Sequence, residues 1–385
     1  MKDVERKVFL IRNVNPEFYG GAETYQLKLA KLLTEAGFLP YIMTSSDKLI
    51  MEAKTMGFSV IRAPYSLKQN YSGWKNIELS EYFLKIHKLS KWYKKLFYEY
   101  KPEVINIQSR DDLIAASGVA EKMGIKVLWT DHMDLRSWIL TNVNVWYKNI
   151  IGKMVLQSAE DADKIIMISD FERKFFDKIV APRKYDNVVT IKNGVIAEFS
   201  KYKKIKSVKN SFCFVGRVVD YKGISELIEA FKMVALKYPD VKLNIYGEGE
   251  DFEKYKKVAE SVKQIVFHGQ TSEPLKALAE NETFVLPSYR EGLSLSLLDA
   301  AMMGKMIIAS DVDGNPEVVE NKKTGLLVPA KNVQKLAEAM EYAICHKKEA
   351  LKMSEAARKK YEEEFNLEKI FAEKMLPLYN IGEES

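Results

Sequence analysis

Two cations and two carboxylates stand at strand-to-helix junctions in the second half of the chain. Phe212–Val215 reads as an apolar strand ending in Gly216-Arg217, and Lys222-Gly223 opens the next helical segment. Arg217 and Lys222 thus fall at a strand's carboxyl end and a helix's amino end, where phosphates are commonly held. Farther on, the run Leu286-Pro287-Ser288-Tyr289-Arg290-Glu291-Gly292-Leu293-Ser294-Leu295-Ser296-Leu297-Leu298-Asp299 passes from strand through a Pro/Ser turn into a helix. Glu291 lies in that loop. The amides of Leu293, Ser294, Leu295 and Ser296 can point at a diphosphate, and Asp299, about one turn further in, can take a pair of sugar hydroxyls. One carboxylate in such a loop is commonly a cap. Two of them, beside a second phosphate-binding turn, read as a ligand site.

Other signals are weaker alone. Gly20-Gly21 precedes a helix and lets backbone approach an anion closely. Neither that turn nor Gly247-Glu248-Gly249 completes G-x-G-x-x-G, and no Walker A loop is present, which argues against nicotinamide-dependent and P-loop chemistry. His132 follows a strand of the first half. His87, His268 and His346 read as structural or surface residues, without metal-ligand spacing to it. Cys213 and Cys345 are too few for a disulfide framework or a zinc site.

These residues need a scaffold, and 385 residues suffice for two domains. Strands are expected at Val8–Ile11, Tyr41–Thr44, Ser59–Arg62, Val104–Ile107, Val127–Thr130, Lys164–Ile168 and Val188–Ile191, with helical segments between most of them. The pattern restarts with Ser211–Val215, Lys242–Tyr246, Gln264–Phe267, Thr283–Leu286, Met306–Ala309 and Gly325–Val328. Nearly continuous apolar strands indicate parallel sheets covered on both faces. The fold class is α/β, as two doubly wound domains: 1–191, then a linker 192–210, then 211–366. A helical tail, about 367–380, could cap the second domain or pack back on the first.

Taken together, Phe214-Val215-Gly216-Arg217, Lys222-Gly223, Tyr246-Gly247-Glu248-Gly249 and Pro287-Ser288…Glu291-Gly292…Asp299-Ala300 resemble the retaining glycosyltransferases of family 4. Gly20-Gly21-Ala22-Glu23, Ser310-Asp311…Gly314-Asn315-Pro316-Glu317 and Thr324-Gly325-Leu326-Leu327-Val328 match further segments of that family. The resemblance implies a GT-B fold, two Rossmann-like domains facing across a cleft, the first binding acceptor and the second the nucleotide-sugar donor. It implies that Arg217 and Lys222 neutralise the departing diphosphate. Glu291 would contact the transferred sugar and His132 would be the active-site histidine. The second acid of the family's Glu-x7-Glu motif, here Asp299 and one methylene shorter, would bind the ribose. Gly20, Gly21, Gly216 and Gly247 would complete the donor site. No metal or other cofactor is expected, and the anomeric configuration would be retained. Acceptors would be glycans or lipid-linked precursors, as in surface polysaccharide or glycolipid synthesis.

Charge adds a further expectation. The net charge is +6; Met1–Thr190 carries 29 Lys and Arg against 23 Asp and Glu, while the remainder is balanced at 30 each. Within Lys85–Lys101, Ile86, Leu89, Tyr93, Leu96 and Tyr100 form a helical stripe flanked by Lys85, Lys88, Lys91, Lys94 and Lys95. This helix could lie on an anionic membrane or pack its stripe on the sheet. No apolar run is long enough to span a bilayer, and the N-terminus lacks a secretory pattern. The protein is therefore expected in the cytoplasm, at most peripheral on the membrane. Two competing functions are a nucleotide-sugar epimerase on the same scaffold, which would need no acceptor, and nucleic-acid binding by the basic half. Nucleic acid is not the expected partner, because the lysines lie among helical apolar positions without a recognition motif.

Overall fold

Apolar runs short enough for strands and long enough to cross a sheet become thirteen parallel strands among the described residues. The computed structural model describes residues 5–14, 16–17, 19–64, 76–132 and 146–380. The chain divides into two units, one comprising residues up to Ile191 together with those from Phe371 on, the other Lys192–Ile370.

The first unit contains β1 (Arg6–Arg12), α1 (Gly21–Glu35), β2 (Phe38–Thr44), α2 (Asp47–Thr55), β3 (Ser59–Arg62), α3 (Asn76–Tyr100), β4 (Val104–Ile107), α4 (Arg110–Lys122), β5 (Lys126–Asp131), α5 (Trp146–Glu160), β6 (Lys164–Met167), α6 (Asp170–Val180) and β7 (Val188–Thr190). Its sheet runs β3-β2-β1-β4-β5-β6-β7. Chain order reverses between β1 and β4, which pair in register from Val8 opposite Val104 to Ile11 opposite Ile107. Such a reversal opens a crevice beyond the strands' carboxyl ends.

In α3 the sequence allowed two destinations for the apolar stripe, and the sheet takes it. Ile86, Leu89, Tyr93 and Leu96, with Tyr82 and Phe97, are buried in one core with Phe9, Ile105, Ile107 and Trp129. A stripe used this way cannot also enter lipid. The opposite face stays in solvent, with Lys85, Lys88, Lys91, Lys94 and Lys95 exposed.

The second unit contains β8 (Val208–Val215), α7 (Ile224–Lys237), β9 (Lys242–Tyr246), α8 (Phe252–Ala259), β10 (Ile265–Gly269), α9 (Pro274–Ala279), β11 (Asn281–Leu286), α10 (Leu295–Met302), β12 (Met306–Ser310), α11 (Asn315–Val318), β13 (Leu326–Val328), α12 (Val333–Cys345) and α13 (Lys347–Lys360). Its sheet order is β10-β9-β8-β11-β12-β13, with the reversal between β8 and β11. Phe212, Phe214, Phe231, Phe284 and Ile308 are buried in its core.

The segment expected as a linker belongs to this unit rather than spanning solvent. Val195 is fully buried in the core, its carbonyl accepts from the Tyr361 hydroxyl at 2.9 Å, and Val208–Asn210 are already strand. Apolar side chains within a lysine-rich stretch tie it down, Phe199 and Tyr202 packing on the same core as Val195. The tail leaves this unit after Ile370 and joins the first. Asn106 Nδ2 donates to the Tyr379 hydroxyl at 2.6 Å, and Lys126 Nζ donates to the Asn380 carbonyl at 3.0 Å.

Candidate functional site

In the second unit, four loops meet at the carboxyl end of the sheet, and backbone contacts join them. The Gly216 amide donates to the Tyr246 carbonyl at 3.0 Å, and the Val218 amide to the Glu248 carbonyl at 2.9 Å. Gly247 has φ +135°, and a Cβ there would sit 1.8 Å from the Gly216 carbonyl oxygen. Only glycine permits both that conformation and that approach. Gly223 (φ +71°) is equally constrained: a Cβ would lie 2.2 Å from the Pro287 carbonyl oxygen. The turn after β8 is thereby pressed against the turn after β11.

That contact unites residues far apart in sequence. Lys222 closes a short 3₁₀ turn, and its Nζ lies 2.6 Å from Glu291 Oε1, with side-chain exposures of 14% and 8%. The same Glu291 oxygen accepts from Ser288 Oγ at 2.6 Å. The Tyr289 amide donates to the Tyr221 carbonyl at 2.8 Å, its hydroxyl donates to Glu226 Oε2 at 2.6 Å, and the Arg290 guanidinium covers the Tyr221 ring at 4.8 Å. From the neighbouring loop after β12, Asp313 Oδ2 accepts the Glu291 amide at 2.9 Å. Arg217 is half-buried at the end of β8.

The amino end of α10 completes this constellation. Ser294 is its N-cap residue, yet its side chain makes no cap bond, facing Ser296 Oγ at 3.1 Å instead. The first amides of a helix have no intrahelical acceptor, so this end can receive an anion. Leu293 is buried, Leu295 half-buried, and Asp299 half-buried in the next turn. Lys222, Glu291 and Ser294 therefore border the switch point between β8 and β11, with Arg217 following the end of β8 and Asp299 a turn into α10. Among the described residues, no three His, Cys, Asp or Glu side chains are grouped to hold a metal ion.

The first unit has its own polar cluster at the ends of β1, β4 and β5. Gly20 is the N-cap of α1, and its amide donates to Glu23 Oε2 at 2.8 Å. Glu23 Oε1 accepts from Arg12 Nε, with side-chain exposures of 0% and 5%. Arg12 also donates to the Gln108 carbonyl at 3.0 Å. One buried ion pair thus joins the Gly20-Gly21 turn to two strand ends. His132 meets Tyr25 edge-on, ring centroids 5.0 Å apart, and its Nε2 is buried without a partner among the described residues. Burial, and secondarily the Arg12 guanidinium, push the His132 pKa down to about 3, leaving a neutral imidazole at ordinary pH. Deeper in, Asp112 accepts the Asn13 amide at 3.1 Å and the Tyr93 hydroxyl at 2.7 Å.

Sequence reasoning singled out neither Arg12 nor Asp313, and it quoted Glu23 and Ser288 only within matched segments, without a role of their own. Glu23 carried a signal, since an acid three residues after an N-cap commonly reaches back to it. A lone arginine ending the apolar strand Val8–Ile11 was a signal as well. Asp313 carried none, because its partner is set by the order of strands.

Comparison with known proteins agrees with this architecture. The profile of Glycosyltransferase Family 4 matches residues 19–199, and that of Glycosyl transferases group 1 matches residues 195–360. An uncharacterized glycosyltransferase of Haemophilus influenzae is 24% identical over 373 residues, covering 95% of this chain and 97% of its own. A poly(ribitol-phosphate) alpha-N-acetylglucosaminyltransferase of Staphylococcus aureus is 27% identical over 233 residues, 59% of this chain and 46% of its own. The crystal structure of Anabaena HepE in complex with UDP-glucose shares the fold with a TM-score of 0.77, at 15% identity, covering 97% of this chain and 100% of its own. With two parallel doubly wound sheets in succession and both family profiles matched in order, the chain belongs to the family 4, group 1 glycosyltransferases of GT-B fold.

Proposed function

We propose that this glycosyltransferase moves a hexose-type sugar from a nucleoside diphosphate to a hydroxyl of a glycan or lipid-linked acceptor, with retention and without a metal. The pairing of Lys222 with Glu291 at the switch point carries the reading. A cation for the leaving diphosphate stands there beside a carboxylate for the sugar, next to helix-start amides. As the C1–O bond to the diphosphate breaks, negative charge grows on the phosphate oxygens. Arg217, Lys222 and the amides of Leu293–Ser296 are placed to receive it, the task a metal performs elsewhere. The acceptor oxygen bonds to C1 from the face the diphosphate leaves, and its proton passes to the departing phosphate. Glu291 steadies the sugar, and Asp299 holds the ribose hydroxyls. On the first unit, His132 offers an uncharged imidazole to substrate, and Gly21, after the Gly20 amide that Glu23 holds, offers backbone to an anionic group. Support for a polymeric acceptor and an α-linked product comes from the named activity of the Staphylococcus relative, a poly(ribitol-phosphate) alpha-N-acetylglucosaminyltransferase. Support for a UDP-linked hexose comes from the ligand of the Anabaena structure.

A thermal-shift series with UDP, GDP and ADP tests the donor site, since a ligand bound only by the native state raises Tm. One of them should stabilise the protein. The matching sugar donor should then yield product of unchanged anomeric configuration, equally well in EDTA. Inverted product, or loss of transfer in EDTA, would remove retention or metal independence from the proposal.

The same reading places the protein at the cytoplasmic face of an anionic membrane, approached electrostatically. No helix among the described residues is long and apolar enough to cross a membrane. The exposed lysine face of α3, ending near Tyr98 at 76% exposure, supports surface contact without insertion. Each well-placed cation contributes up to about 1 kcal/mol at an anionic surface. Co-sedimentation with anionic vesicles is expected at low salt, declining at high salt; equal recovery with neutral vesicles would refute it.

A further inference from the structure

Asp313 has a left-handed backbone, φ +49°, a region that residues bearing a Cβ enter rarely and Asn and Asp most readily. Its carboxylate uses that position to accept the Glu291 amide at 2.9 Å. The loop that carries it is anchored at both ends. The Asp311 amide donates to the Val328 carbonyl at 2.8 Å, and buried Asn315 donates through Nδ2 to the Ser310 carbonyl at 2.9 Å. Glu291 is accordingly held from three segments. Its carboxylate is bound by Ser288 of its own loop and by Lys222 from the loop after β8. Its peptide is bound from the loop after β12.

We infer that Asp313 is a positioning residue for the transferase reaction, holding the Glu291 backbone so that its carboxylate meets the sugar in productive geometry. The inference rests on the proposed placement of Glu291 at the transferred sugar. A side-chain hydroxyl or carboxylate contact can be regained by rotation, whereas a displaced peptide carries the whole side chain with it. Small displacements of this kind suffice to reduce turnover by up to about a hundredfold.

Glycine and asparagine separate the cap from the backbone conformation. Gly accepts φ +49° without strain but has no acceptor; Asn tolerates the conformation and keeps an acceptor oxygen. D313G is expected to lower kcat about ten- to a hundredfold, with little change in donor KM and only a small loss in Tm from the deleted hydrogen bond. D313N should recover most of that kcat. If Asp313 acts through Glu291, D313G should have little further effect in an E291Q background, since effects routed through one group are not additive.

Wild-type kcat in D313G, equal losses in D313G and D313N, or full additivity with E291Q would each overturn the inference. Wild-type transfer by E291Q would instead remove the placement of Glu291 on which it rests. An inactive E291Q beside a fully active D313G would reject the positioning role alone.

Discussion

Replacing Lys222 or Arg217 with Ala is expected to lower turnover about ten- to a thousandfold each, the usual effect of losing one preorganised charge-stabilising group. The loss should fall mainly on kcat, because charge on the diphosphate is greatest as the glycosidic bond breaks. Lys222 is the more informative position. Its ammonium lies 2.6 Å from Glu291, at the junction where the proposed reading puts the diphosphate. The fold should persist in both variants, since neither side chain belongs to the hydrophobic core. Steady-state kinetics together with thermal melting check this. Near-wild-type kcat in both variants would refute the assignment of these cations to the diphosphate.

Glu291→Gln should abolish most transfer while nucleotide binding is kept, whereas Asp299→Ala should weaken nucleotide binding itself. The two acids occupy one loop and helix start but face different parts of the donor under the proposed reading. The Lys222–Glu291 pair sharpens the contrast. A neutral amide at residue 291 releases Lys222 from its carboxylate partner, so nucleoside diphosphate affinity in Glu291→Gln should equal or exceed that of the wild type. At Asp299 the proposed contact is to the nucleotide itself, and loss of hydrogen bonds to a ribose diol costs about 1–3 kcal/mol. Titration calorimetry with the free nucleoside diphosphate decides the matter. Equal affinity losses in the two variants would end the division of roles.

Inner strands such as β4 and β12 were legible in the sequence because strands buried on both faces must be apolar along their whole length. The edge strands β3 and β10, partly exposed, were legible from short β-branched runs. Every strand from β1 to β13 overlaps one of the expected segments. The positions of Arg217 and Lys222 just after β8 were legible for a related reason: a strand, a turn and a helix start are neighbours in sequence, so the local pattern already assigns the end of the sheet at which they stand. Chemistry confined to one loop can be read from one stretch of chain.

What the tertiary structure decided lies between such stretches. Helical periodicity in α3 is the same whether its stripe meets lipid or a sheet, and burial of Ile86, Leu89 and Tyr93 against Phe9 and Ile105 resolves it. Val195 helps turn a lysine-rich segment into part of the second unit because its side chain enters the core, against which Phe199 and Tyr202 also pack. The neutral state of His132 depends on burial and on Arg12, which approaches it from another strand. Lys222 reaches Glu291, and Asp313 reaches the Glu291 amide, only because β11 lies between β8 and β12. Residue types and local spacing therefore determined which groups are available and at which end of each sheet they stand. Strand order determined which of them touch, because hydrogen bonds and ion pairs act over a few ångströms and the sequence carries no distance across the sheet.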